Sequence, residues 1–314
     1  MSVADKTDEH PSETEILSCF LFDILSDKPG NVKPGHKDFP IFLTSAVEIS
    51  RCAALFRPTG DISSDFRKLI TECTEKMMVS CSKNTLFGAI LLLAPYMLSK
   101  HYAIPIGKIP DLLDYRASLG LLQAYRYARP RVLPVDGYDI RDSDIEEKLK
   151  VEKIGVKKWM STGVDKNLVA RAYTEDFGFI IDEGVPALIS EARHTGAPWQ
   201  SQIYELKSTA YRIFCDSSNI CGTADTSDKA FRVNITKSIS STSRKLFFYY
   251  LSKFLDPLVV SKAGIDVAQS LLSLSKEKRY EEAAELIQSH NINPGAVADL
   301  VFATALYSLD RMAI

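Results

Sequence analysis

Cysteine is sparse. Six residues (Cys19, Cys52, Cys73, Cys81, Cys215 and Cys221) are scattered through 314 positions, and no two form a C-x-x-C pair. With no histidine at zinc-finger spacing, a structural zinc site is not expected. Isolated thiols in a chain this long read as buried groups in a reducing compartment. Basic residues are not in surplus either. Lys and Arg number 38 against 40 Asp and Glu, a net charge of −2, so a broad phosphate-neutralising face for nucleic acid is not expected. The most apolar run, Leu86 to Leu98, is too short to cross a bilayer. The opening Ser2 to Glu15 is polar and acidic, unlike a secretion signal. There is no G-x-x-x-x-G-K-[ST], G-x-G-x-x-G, G-x-S-x-G or H-E-x-x-H. These absences predict a soluble, cytoplasmic protein that binds any nucleotide outside the Rossmann and P-loop manner.

What is present is helical periodicity. Apolar residues make up 46% of the chain, enough for a sizeable core. Ser12 with Glu15 reads as a capping box ahead of Ile16, Leu17, Phe20, Leu21, Ile24 and Leu25. Asp38 is placed to cap a second helix, and Pro110 to open one that Pro130 ends. Helical character continues from Asn167 to Ala192, with a break expected near Gly184-Val185-Pro186, and from Trp199 to Phe214. No β-α-β alternation and no fixed repeat is visible. The pattern predicts an all-α fold: one multi-helix bundle over 1–314, with a flexible start over 1–11 and Leu86 to Leu98 as the central helix. One irregular Ser/Thr-rich segment is expected near 215–243, where only Phe231 to Ile235 suits a strand.

Four stretches combine a chain reversal or helix start with polar side chains. The densest is Lys28-Pro29-Gly30-Asn31-Val32-Lys33-Pro34-Gly35-His36-Lys37-Asp38. Two Pro-Gly steps force a loop, and three lysines suit a polyphosphate. A solvated turn with incidental lysines explains the same residues. The second is Asn84-Thr85-Leu86-Phe87-Gly88, where Asn84 can cap a helix whose free N–H groups could hold an anion. Gly88 removes a side chain where a ligand or a neighbouring helix must approach. The third is Asn293-Pro294-Gly295-Ala296-Val297-Ala298-Asp299. Asp299 is the sole charge of an apolar helix, costly to bury unless paired or on a metal. The fourth, Asp256 to Gly264, reads alone as an ordinary connection between helices. Arg171 is a weaker candidate, because it can simply pair with Glu175 one turn on.

In this order, Lys28-Pro29-Gly30-Asn31-Val32, His36 to Asp38, Asn84-Thr85-x-x-Gly88 and Asn293-Pro294-Gly295-x-x-Ala298-Asp299 resemble the triphosphoribosyl-dephospho-CoA synthase family, its archaeal-type branch more than the bacterial one. Ala170-Arg171-x-Tyr173-x-x-Asp176-Phe177 and Asp256-x-Leu258-Val259-x-x-Lys262-x-Gly264 fall in family order too. The likeness runs from about Glu15 to Leu309. It implies a transferase that moves the 5-triphosphoribosyl unit of ATP to 3′-dephospho-CoA, or a related acceptor, and releases adenine. The product would be the precursor of the citrate lyase or malonate decarboxylase prosthetic group. On that scheme Lys28 and Lys262 take phosphates, with Gly30, Asn31, Thr85, Arg171 and Gly295 beside them. The helix starts at Asn84 and Asn293 add N–H donors. Asp38 and Asp299 hold Mg²⁺ or act on the ribose, and His36 transfers a proton.

The departures are specific. Leu86 and Phe87 replace a His-Lys pair of the bacterial enzymes. Pro257 and Ser261 replace a threonine and an arginine, and Ala296-Val297 a threonine pair. The lost polar groups leave a second reading open: a nucleotide- or cofactor-binding protein that keeps the fold without the reaction. A helical scaffold for protein contacts is a third. Separately, an exposed apolar helix face could make a homodimer.

Overall fold

The computed structural model describes residues 10–216 and 236–311. These contain sixteen α-helices and no strand. The capping box forms as expected, with the Ser12 N–H on Glu15 Oε2 at 2.9 Å and the Glu15 N–H on Ser12 Oγ at 3.2 Å. It starts α1 (Glu13–Ile24), which is buried along its length from Ile16. Then follow α2 (Phe39–Leu55), α3 (Ile62–Cys81), capped by Asp61, and α4 (Phe87–Tyr102). The helix expected from Pro110 is two pieces. A short α5 (Ile109–Leu112) is broken from α6 (Tyr115–Ala128) because Asp114 turns extended and caps Arg116 N–H.

Three short helices follow: α7 (Ile145–Val151), α8 (Val156–Ser161) and α9 (Leu168–Thr174). The break expected at Gly184 falls earlier, where Asp176 and Phe177 take positive φ. Beyond it a π turn, Phe179–Gly184, runs directly into α10 (Val185–His194). Proline at a first helical turn loses nothing, so Pro186 does not interrupt. Next come α11 (Trp199–Asp216) and α12 (Lys237–Lys253). The region expected to be irregular is therefore helical at both its ends, at 215–216 and 237–243; the strand expected at Phe231 to Ile235 lies outside the described residues. The chain closes with α13 (Pro257–Ala263), α14 (Ile265–Lys276), α15 (Tyr280–Ser289) and α16 (Gly295–Tyr307).

The hub is α16, not the Leu86 helix. It packs on α1, α4, α9, α10, α12 and α13. Its sequence is apolar all round and rich in alanine, so neighbours approach from every side. Phe20 of α1 stacks on Phe302 at 4.1 Å, and Tyr96 of α4 on Tyr307 at 5.6 Å. The Tyr307 hydroxyl donates to the Leu92 carbonyl at 2.8 Å. The buried apolar residues of these helices form one connected core. Among the described residues no single helix is long and apolar enough to cross a membrane.

Candidate active site

The starts of α4, α9, α13 and α16 open on one cleft. It has two chambers of about 490 and 470 Å³ with a common boundary of Phe42, Asn84, Thr85, Arg131 and Asn293. Helix starts present unpaired N–H groups and the positive end of the helix dipole, which favours anions.

The Lys-Pro-Gly and Asn-Pro-Gly loops, at 28–30 and 293–295, pack together. Gly30 has φ +76°, and a Cβ there would overlap the Ile292 carbonyl oxygen. Only glycine satisfies both demands. The second chamber is lined by Gly30, Asn31, His36, Asp38 and Lys83. Asp38 does not cap α2, since its backbone is helical rather than extended and its side chain makes no cap bond. It takes the Lys83 ammonium at 3.2 Å instead, which holds its carboxyl below the usual range. His36 Nδ1 accepts the Asp38 N–H at 3.1 Å.

The first chamber carries Arg129, Arg131, Lys166 and Lys262 against one carboxylate, Asp299. Arg129 and Arg131 make no ion pair among the described residues. Lys262 donates to the Asn291 carbonyl, and Lys166 to the Pro134 carbonyl at 2.7 Å. In a chain of net charge −2 this is a local surplus of positive charge suited to a polyphosphate. Arg129, Arg131 and Lys166 escaped the sequence reading. Their only signal there was the Arg-Pro-Arg step at 129–131, which reads as a helix end.

Asp299 comes from the second turn of the hub helix. A Cβ at Gly88 would overlap Asp299 Oδ2 and lie 2.6 Å from its Cγ. The glycine thus makes room for this carboxylate, which accepts the Ala89 N–H in the first turn of α4. Burial, then the charges of Asp23 and Asp256, push the Asp299 carboxyl well above the usual range. In sequence Asp256 belongs to an ordinary connection between helices, yet in the fold it ties two helices together. Its Oδ1 accepts Leu258 N–H at 2.8 Å and Val259 N–H at 3.2 Å, and its Oδ2 accepts Val297 N–H at 3.1 Å. Burial raises it to about 6, against those bonds. Among the described residues, no group of three or more His, Cys, Asp or Glu side chains is placed to hold a metal unaided.

Four expected residues behave otherwise. Lys28 is 2% exposed and lines neither chamber. Its ammonium donates to the Asp23 carbonyl and lies 2.9 Å from Asp23 Oδ1. Arg171 lies off both chambers, 3.4 Å from Glu175 and over the Phe254 ring at 5.4 Å. Asn84 and Asn293 reach the cleft, but the caps of α4 and α16 are Leu86 and Pro294. Asn84 Oδ1 keeps a long contact from the Phe87 N–H, 3.4 Å.

No curated protein matches the chain. Among solved structures, a candidate triphosphoribosyl-dephospho-CoA synthase from Archaeoglobus fulgidus has the same fold. Its TM-score is 0.55 at 21% identity, over 85% of this chain and 97% of that one. The family of ATP:dephospho-CoA triphosphoribosyl transferases, CitG, matches residues 16–217, well over half of the sequence. With the family's loops gathered around one cleft lined by cations, the chain belongs to the ATP:dephospho-CoA triphosphoribosyl transferases.

Proposed function

We propose that the two chambers divide the family's two substrates between them. The activity is transfer of the 5-triphosphoribosyl unit of ATP to dephospho-CoA. The observation that carries the assignment is the pair of adjoining chambers, each of a size that holds a nucleotide. ATP takes the chamber of the Lys-Pro-Gly loop, its triphosphate toward Lys83 and Arg131. Dephospho-CoA takes the other, its diphosphate toward Arg129, Arg131 and Lys166. Asn84, Thr85 and Asn293 stand at the boundary, where ribose must meet the acceptor hydroxyl.

The C1′–N9 bond of ATP breaks and a bond from C1′ to a ribose oxygen of the acceptor forms. The hydroxyl proton ends on adenine. A carboxyl with raised proton affinity suits that exchange. Asp299 gives its proton to the departing base and recovers one from the attacking hydroxyl. As a carboxylate it also favours the positive sugar that lies between. Of the two carboxyls expected on Mg²⁺, Asp38 fits the ion better, because Lys83 keeps it ionised. Mg²⁺ is held in such sites by one or two carboxylates and substrate oxygens, and it neutralises triphosphate charge. His36 orients the Asp38 backbone.

The losses at Ser261 and Ala296 leave fewer donors at α13 and α16. Arg129, Arg131 and Lys166 supply positive charge on the facing wall, which favours turnover over binding alone. We extend the proposal to a single domain over 1–314, in keeping with its one connected core, and to a cytoplasmic setting. Homodimerisation would use exposed tyrosines such as Tyr204 and Tyr211 of α11.

The test is adenine release from ATP and Mg²⁺ with dephospho-CoA, followed by chromatography and mass spectrometry. Asp299→Asn should lose at least about 10²-fold in turnover, the usual scale for one transition-state group. Full turnover in that variant removes Asp299 from the chemistry. ATP binding without adenine release would mean that the fold binds nucleotides without reacting them.

A further inference from the structure

Behind the first chamber lies a recess of about 50 Å³, lined by Leu121, Tyr125, Val132, Leu133, Trp159 and Met160. It adjoins the chamber, with Tyr125, Val132, Leu133, Lys166 and Asn167 lining both. Its character is the opposite of the chamber's. The Trp159 indole N–H is turned away to the Tyr138 carbonyl at 2.8 Å. The Tyr125 hydroxyl is engaged by Asn167. The lining is mostly aromatic and aliphatic, with Thr162, Lys166 and Asn167 as its polar members.

Size and chemistry decide what could enter. The recess is about a tenth the size of either chamber, so it suits a slender group rather than a whole nucleotide. Of the two substrates, only dephospho-CoA has a slender limb, the pantetheine arm, which ends in two methylenes and a thiol. The other end of that arm is joined to a diphosphate, the group the cations of the adjoining chamber suit. We propose that the recess receives the thiol-bearing end of the acceptor's pantetheine arm and so selects the acceptor. The inference rests on the placement of dephospho-CoA in the first chamber. Tyr125, Trp159 and Met160 supply the aromatic and thioether surface that suits a thiol.

Gly163 also lines the recess, and a Cβ there would lie 3.6 Å from Val135 Cγ1 and 3.9 Å from Ala170 Cβ, ordinary contacts. Gly163→Ala should therefore fold while narrowing the space by one methyl. The experiment measures binding of dephospho-CoA, its S-benzyl derivative and ADP, the acceptor without its arm, alongside the KM for ATP. Wild-type protein should prefer dephospho-CoA to both competitors. Gly163→Ala should weaken dephospho-CoA by about tenfold, the scale of one methyl in an apolar pocket, and leave ADP and ATP unchanged. The S-benzyl series on wild-type protein needs no variant at all. Equal binding of dephospho-CoA and its S-benzyl derivative, or equal weakening of ADP and dephospho-CoA in Gly163→Ala, would overturn the proposal and mark the recess as a packing void only. The two readings separate cleanly. Arm-selective binding without adenine release keeps this one and sinks the transfer; adenine release indifferent to the arm does the reverse.

Discussion

The cleft holds positive and negative charge in two different ways. Its cations stand on exposed side chains, and Arg129 and Arg131 have no anionic partner among the described residues. Asp23 and Asp256 lie below the surface, and the Asp299 carboxyl is pressed into the first turn of α4. An exposed cation costs the fold little, and it gains its partner when a phosphate arrives. A buried carboxylate costs the fold at all times and survives only where hydrogen bonds or a counterion hold it. The first arrangement serves affinity; the second sets the proton affinity of one group. Substitutions in the two regions should separate accordingly.

The largest effect should come from Lys28. It was expected on phosphate, but it is the counterion of Asp23. Lys28→Ala strands a buried carboxylate and should cost about 3–5 kcal/mol of stability by denaturant unfolding. A stable variant with a raised KM for ATP would return Lys28 to the substrate. Gly88→Ala comes next. The Cβ displaces the Asp299 carboxyl, so turnover should fall about 10²-fold. Alanine favours a helix interior by about 0.5–1 kcal/mol over glycine, so the variant should stay folded. Unchanged turnover would free Asp299 from its proposed role.

The pH dependence of stability is smaller. Asp256 titrates near 6 in the folded protein against 3.8 ordinarily. The folded state therefore binds a proton between roughly pH 4 and 6 that the unfolded chain releases. Stability is greater below that window and declines as pH rises through it, by roughly 2–3 kcal/mol. Burial shifts Asp23 and Asp299 the same way. Denaturant midpoints should thus fall from pH 4 to pH 6, and Asp256→Asn should flatten the slope. A midpoint that rises across the window would contradict the buried-carboxylate account.

The smallest effects should come from the cations. Lys83→Ala should raise the KM for ATP about tenfold, Arg129→Ala that for dephospho-CoA, and Arg131→Ala both, each loss shrinking as salt screens the parent's cation. Their stabilities should stay within about 0.5 kcal/mol of the parent. A single KM affected by all three would merge the two chambers into one site.

The sequence was legible where structure is local. The Ser12–Glu15 capping box needs only three intervening bonds, and it forms. The all-α class follows from periodicity. Gly88 was identified as a place of close approach, but its visitor, Asp299, is two hundred residues away. Asp256 looked like a loop residue because one of the two helices it caps begins at 295. Asp38 looked like a cap by identity alone, until the reach of Lys83 and its own helical backbone decided otherwise. The setting of Lys28 is hidden for a local reason: Asp23 stands five residues earlier on a helix buried from Ile16 onward. Arg129 and Arg131 were passed over because Pro130 marks an ending, and endings carry no periodicity.

The seam between Gly30 and Ile292 bears on how the enzyme is made. One side of the cleft's floor emerges from the ribosome early and the other late. Until α16 has been synthesised, α1 and α4 lack the helix that lies against both, and the space at Gly88 has no carboxylate. A growing chain can carry every cation of the cleft and still lack the carboxylate proposed to react. Pairings of such long range form slowly and depend on the late segment being intact. Clipping the chain just ahead of Asn293 would remove the proposed substrate contacts, the proposed reacting carboxylate and the centre of the core in one cut.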